Sequence, residues 1–145
     1  MGRWVTQEPL QLEPLLHETE DHASGALVIF LGTVRNHNDG RPVRGMTYDA
    51  HVSMAEKVLA QIEQEALEKF DVQHCRIQHR VGPMALGEPS VQIVVRAAHR
   101  DAAYAASRYA IDELKRRAPI WKEEHYTDGD SRFLDGVPLG GDEPA

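Results

Sequence analysis

Apolar positions along this chain fall into a few runs whose spacing decides what each can become. From 25 to 34, "GALVIFLGTV" is apolar almost without a break, rich in β-branched residues and bounded by glycine, which predicts a buried strand. "RNHNDGRP" follows, dense in Asn, Asp, Gly and Pro, and predicts a loop. "VRGMTYDAH" at 43–51 predicts a strand returning from it. The period then changes. Val58, Leu59, Ile62, Ala66 and Phe70 recur at helical spacing, behind a Ser53–Glu56 pair spaced as a capping box.

Two further strands come next. "VQHCRIQHRVG" puts Cys75, Ile77, His79 and Val81 on one face, and "PSVQIVVRAA" does the same with Val91, Ile93, Val95 and Ala97; "GPMALGEP" joins them. A second helix is predicted after "AAHR", with Asp101 as N-cap and Ala103, Ala106, Ala110 and Leu114 as its apolar stripe. Pro119 ends that helix, because the residue before a proline is pushed out of the helical region, and "IWKEEHY" is then strand-like. The first 24 residues, punctuated by Pro9 and Pro14, predict a short edge strand and a short helix. The Gly- and Pro-rich end, about 136–145, predicts a flexible tail. Strands and helices mix without strict alternation, and no repeat or linker interrupts them. A single α+β domain over 1–145 follows.

Composition narrows the class. A chain of 145 residues with 41% hydrophobic and 27% charged residues can bury a proper core and reads as soluble and globular. No apolar run is long enough to cross a bilayer, and "MGRWVTQEPL" lacks the apolar core of a secretory signal. The lone Cys75 allows no internal disulfide and favours a cytoplasmic home. In a strand it is either a small core hydrophobe or a thiolate with a histidine partner. The net charge of −7 is unevenly spread: residues 1–24 carry −4, residues 123–145 carry −6, and the middle carries +3. Acidic ends around a mildly basic body suit a small anionic ligand better than a long nucleic acid.

Three stretches could carry chemistry. "LKRRAPIWKEE" places Lys115 in the last turn of a helix and Lys122 just past a proline turn. The pair either interacts with the helix dipole or converges on one site. "AHRD" puts His99 and Arg100 at a strand-to-helix junction, where an anion can meet backbone N–H groups, a titratable ring and a guanidinium. "GTVRNHND" opens a strand into a polar loop carrying Arg35 and His37. No HExxH or Cys/His cluster has metal-ligand spacing, and no phosphate-binding glycine loop or nucleophile elbow occurs.

Taken in order, "GALVIFLGTVRNHNDGRPV", "AAHRDAAYAA" and "LKRRAPIWKEE" resemble the large, catalytic subunit of molybdopterin synthase, the MoaE family, from about Gly25 to Glu124. The resemblance implies an α/β-hammerhead-type α+β fold with an antiparallel sheet, and a homodimer within a heterotetramer. It implies a small ubiquitin-like sulfur-carrier subunit as partner, presenting a C-terminal Gly-Gly thiocarboxylate. Two sulfurs would pass from that carrier to cyclic pyranopterin monophosphate, an anionic pterin, to build the dithiolene of molybdopterin. No cofactor or metal, nucleic acid or membrane enters that step. By the same resemblance Lys115 and Lys122 are the catalytic pair, and Thr33, Val34, Arg35, His99, Arg100, Glu123 and Glu124 join them in binding substrate. Cys75 has no role in it. The alternative is a non-catalytic dimeric scaffold that binds a ubiquitin-like partner.

Overall fold

The computed structural model describes residues 2–127, 129 and 131–133; the expected flexible tail lies outside them. In chain order the elements are β1 (Val5–Thr6), α1 (Leu12–Glu18), β2 (Ala26–Thr33), β3 (His37–Asn38), β4 (Arg41–Ala50), α2 (Val52–Lys69), β5 (His74–Arg80), β6 (Gly82–Ala85), β7 (Pro89–Ala97), α3 (Arg100–Arg117), β8 (Ile120–Tyr126) and β9 (Ser131–Phe133). They build two sheets. One has the order β1-β5-β7-β2, antiparallel except where β1 joins β5; the other runs β3-β4-β8-β9, with β6 also on β4. This is the α+β, antiparallel single-domain architecture that the mixed pattern of periods predicts.

Helices α2 and α3 pack on each other and on the first sheet, α2 over β5 and α3 over β7 and β2. Between them lies the core, in which Leu59, Ile62, Ile77, Ile93, Leu114 and Ile120 are fully buried. Small residues on α3 let this happen: Ala103, Ala106 and Ala110 are completely covered, so the helix lies close on the sheet. The other face of the sheet is covered by α1, held by Arg96, which donates to Thr19 Oγ1 and to the Leu16 carbonyl at 3.0 Å each. α2 also buries a charge: Glu63 accepts from the Ile77 N–H at 2.7 Å and pairs with the buried Arg76.

The structure departs from expectation in four places. Helix α2 starts two residues earlier than the capping box requires. Its N-cap is His51, whose Nδ1 accepts from the Met54 N–H at 3.3 Å, and Ser53 sits inside the first turn. Glu56 is used elsewhere, accepting the backbone N–H groups of Trp4 and Val5 at 2.8 and 2.6 Å and pinning β1 to the helix. Likewise α3 has His99 as N-cap, with Asp101 in its first turn. "GPMALGEP" is more than a connection, since β6 pairs with β4 through Met84↔Met46. Finally, β2 is an edge strand with one face open, rather than a strand buried on both sides. An apolar run reports that water is excluded somewhere, and says nothing about which partner excludes it.

Candidate active site

The loop after β2 turns back through a tight hairpin, with Asp39 and Gly40 both at positive φ (50° and 75°), and β3 pairs with the start of β4. That turn fixes Val34 and Arg35 in the lining of a cavity of about 310 Å³. Its wall is the end of β2, where Gly32 is required: a Cβ there would come within 2.7 Å of Val91 Cγ1. From the C-terminal end of α3 come Ile111, Leu114 and Lys115, and from β8 comes Lys122. Pro119 does what the sequence suggests. Ala118 leaves the helix in an extended conformation (φ −73°, ψ 131°), and the chain enters β8 within two residues. Thr33, Val34, Arg35, Lys115 and Lys122 therefore line one pocket.

Beneath these cations the floor is neutral. Met46 and Tyr48 of β4, His79 of β5 and Ser90 of β7 line it. His79 is completely buried, and burial pulls its ring down to a pKa of about 4, so it is uncharged at neutral pH. Its Nδ1 lies 2.7 Å from the Arg80 carbonyl, which makes Nδ1 the protonated nitrogen, and Tyr48 meets the ring edge-on at 5.0 Å. Tyr48 in turn is hydrogen-bonded with Ser90, and burial raises its hydroxyl above the ordinary value. None of these floor residues was singled out in the sequence as a site residue. His79 occupies an alternating position that a core histidine would also occupy, so its spacing carries no signal.

Lys122 has the most perturbed cation in the pocket. Burial pushes its ammonium down to about 8, the positive charges of Lys115 and Arg35 push the same way, and Glu124 opposes them. Glu124 lies on the same face of β8, fully buried. Its Oε1 accepts from Asn38 Nδ2 at 2.7 Å, and Asn38 Oδ1 accepts from Arg35 at 3.5 Å, so β3, β8 and the loop arginine form one chain of contacts. Glu124 Oε2 is buried without a hydrogen-bond partner among the described residues. Glu123 is on the opposite face of the strand, with His125 at 3.9 Å, and does not line the pocket.

His99 and Arg100 are not brought to this pocket either. They are exposed at the start of α3, while Lys115 is in its last turn. Fifteen residues of helix separate Arg100 from Lys115, about 22 Å along the axis at 1.5 Å per residue. Cys75 is remote from the pocket lining and buried, and burial pushes its thiol up to about 12, which removes the thiolate reading. Among the described residues no three His, Cys, Asp or Glu side chains gather as a metal site.

The arrangement is a small cavity with a cationic mouth and a neutral, hydrogen-bonding floor. It matches an anionic group attached to a flat or narrow body. The model of the MoaE protein family matches residues 5–117. The chain belongs to the MoaE family, the catalytic subunits of molybdopterin synthase. It is 47% identical over 130 residues to the molybdopterin synthase catalytic subunit of Synechococcus elongatus, covering 88% of this chain and 78% of that one. To the Nostoc sp. protein of the same name it is 42% identical over 131 residues, covering 90% and 79%. Among solved structures, molybdopterin synthase from Staphylococcus aureus superposes with a TM-score of 0.86 at 38% identity, covering 92% of this chain and 98% of that one. A Helicobacter pylori chain, solved as a protein–protein complex of subunits 1 and 2 of molybdopterin-converting factor, shares the fold at a TM-score of 0.73 and 22% identity.

Proposed function

We propose that this pocket receives the thiocarboxylated C-terminal Gly-Gly of a small ubiquitin-like carrier and transfers its sulfur to cyclic pyranopterin monophosphate. Two such transfers build the dithiolene of molybdopterin. The observation that carries the reading is the convergence of Arg35, Lys115 and Lys122 on one cavity of about 310 Å³. A glycine-glycine tail has no side chains and can thread a narrow opening, and its anionic end needs cationic donors. Each transfer forms a carbon–sulfur bond on the pterin and leaves the carrier's terminus as a carboxylate, with water supplying the oxygen that replaces sulfur. Lys115 holds the thiocarboxylate and stabilises the negative charge that develops on its oxygen during attack. Lys122, with its ammonium poised near 8, gives and takes the proton.

His99 and Arg100 serve the pterin phosphate in this reading, and within one chain they are too far from Lys115 to do so. They act on the pocket of a second copy, in a homodimer that binds one carrier per chain. Glu124 holds Arg35 in place through Asn38 and sets the charge state of Lys122; it does so from beneath the pocket, being fully buried. The cytoplasm supplies a setting in which carrier and substrate are both soluble.

The experiment is reconstitution with purified thiocarboxylated carrier and cyclic pyranopterin monophosphate. Mass spectrometry should show the carrier returning as carboxylate, two per pterin converted. If a carrier that is competent with another synthase gives no conversion here, the enzymatic reading is lost and the scaffold alternative stands.

A further inference from the structure

His79 is buried in the lining of the pocket, and the proposed reaction gives it nothing to do. Its position follows from the two sheets. In the first, His79 pairs with Val91 and Val91 with Gly32, so three lining residues form one row across β5, β7 and β2. In the second, Tyr48 pairs with Lys122 across β4 and β8. The edge-on contact of Tyr48 with His79 joins the two pairings at one corner and fixes the plane of the imidazole. Nδ1–H is committed to the Arg80 carbonyl, so Nε2 carries a lone pair, and no hydrogen bond among the described residues engages it. The rest of the lining is short of acceptors. Arg35 and the protonated Lys115 and Lys122 only donate. Tyr48 and Ser90 are hydrogen-bonded to each other, and Ser90 Oγ donates on to the Gly32 carbonyl at 3.3 Å. No carboxylate or amide side chain is among the described lining residues. A buried acceptor held in a fixed direction, in a lining otherwise made of donors and apolar groups, is a place for a ligand N–H.

We propose that His79 Nε2 accepts a ring N–H of the pterin and so fixes which way round the flat ring system sits in the pocket. This rests on the proposed function, which makes a pterin the substrate. A pterin is a planar aminopyrimidinone fused to a second nitrogen ring, with N–H donors along its edge and two faces to be covered. The His79–Val91–Gly32 row spans two strand spacings, about 10 Å, the scale of two fused six-membered rings. Gly32 keeps that row clear, since a side chain there would collide with Val91. Phe30, Met46 and Ile111 line the same cavity and supply apolar contact for the ring faces. Burial holds the His79 ring near 4, so at neutral pH it stays an acceptor and adds no further charge to the three cations. The substrate's phosphate is left to those cations. The carrier's Gly-Gly tail also has N–H groups, but no flat face to set against this wall. An analogue methylated at the paired nitrogen leaves Nε2 without a donor, and a buried acceptor left unpaired costs affinity.

The test measures binding of cyclic pyranopterin monophosphate, and of an unphosphorylated tetrahydropterin, to the full chain by calorimetry. His79→Leu removes the acceptor and should weaken both by roughly ten- to a hundredfold, the usual cost of leaving a buried donor unpaired. His79→Gln puts an amide oxygen within the same reach and should recover most of that loss. Carrier binding should stay close to wild type in both variants, which shows the pocket folded. In protein with isotope-labelled histidine, the His79 Nε2 resonance, assigned by its loss in His79→Gln, should move upfield when either pterin binds. A histidine that only filled the core would not respond. If His79→Leu does not fold, the wild-type resonance decides by itself. Wild-type pterin affinity in folded His79→Leu, or an Nε2 resonance that bound pterin leaves unmoved, overturns the proposal. So does loss of carrier binding in His79→Leu with pterin affinity intact, which would assign the acceptor to a carrier glycine N–H. These readouts need no turnover. Pterin binding that depends on His79, in a protein that transfers no sulfur, would therefore refute the functional reading and leave the ring's seat standing.

Discussion

Glu124→Gln removes one buried charge, two residues from Lys122 on the same face of β8, and leaves the side chain's size unchanged. Two residues along a strand span about 7 Å. At that separation two unit charges interact by about 2 kcal/mol with an effective dielectric constant near 20, and by about half that nearer the surface. Divided by 1.36 kcal/mol per unit, this corresponds to a shift of about one to two pKa units. In the wild-type protein Lys122 sits at about 8, with Glu124 as the influence that holds it up against burial, Lys115 and Arg35. Glu124→Gln therefore moves Lys122 down by that amount, from mostly protonated to half or more neutral at pH 7. The assay is an NMR titration of the Lys122 side-chain Cε and Nζ resonances, assigned by their loss in Lys122→Arg. The pH profile of sulfur transfer should move to lower pH in parallel. An unmoved or raised Lys122 pKa in Glu124→Gln would falsify the electrostatic influence of Glu124 on Lys122.

Further outcomes follow from other buried groups. His79 is held near 4 when folded against 6.5 in a free chain, so the unfolded state binds the extra proton and stability is lost as pH falls from 6.5 to 4. The loss is about 3 kcal/mol, read by urea denaturation, and His79→Gln should flatten the profile in that window. Lys122 is depressed from 10.5 to about 8, so its charge destabilises the fold at pH 7 and this cost fades as pH rises from 8 to 10.5. Lys122→Met should accordingly raise the melting temperature at pH 7, with a smaller gain at pH 10, while abolishing sulfur transfer. Glu56→Ala removes two charge-assisted hydrogen bonds to the Trp4 and Val5 N–H groups and should cost about 2 kcal/mol. Amide exchange at Val5 should then rise well above that of the core strands; equal protection in both proteins would refute the tether.

How much of this could be read from residues alone differs by feature. Elements with a sustained period were legible, because burial of a helix stripe or a strand face needs little beyond local spacing: Ala103, Ala106, Ala110 and Leu114 are all completely buried, as their spacing predicts. The proline turn was legible too, since Pro119 acts on its own neighbour. Caps were less so. Ser53 and His51 can both accept a helix N–H, and the choice was made by Glu56, which is drawn away to residues some fifty positions earlier. The open edge of β2 and the neutral floor of the pocket depend on which segments end up adjacent, and no local pattern encodes that. For the same reason sequence order groups His99 and Arg100 with Lys115, though a whole helix holds them apart.

In the proposed reaction Lys115, with Arg35 and Lys122 beside it, handles the carrier's thiocarboxylate. A single-turnover measurement with preformed carrier complex and saturating cyclic pyranopterin monophosphate tests that role. Lys115→Ala should lower the transfer rate by about a hundredfold or more, the usual cost of removing a donor to a developing oxyanion, with melting temperature and carrier binding close to wild type. Glu123→Ala, on the opposite face of β8, serves as the control and should stay within a few-fold of wild type. A Lys115→Ala rate as close to wild type as that control's would show that Lys115 does not handle the thiocarboxylate.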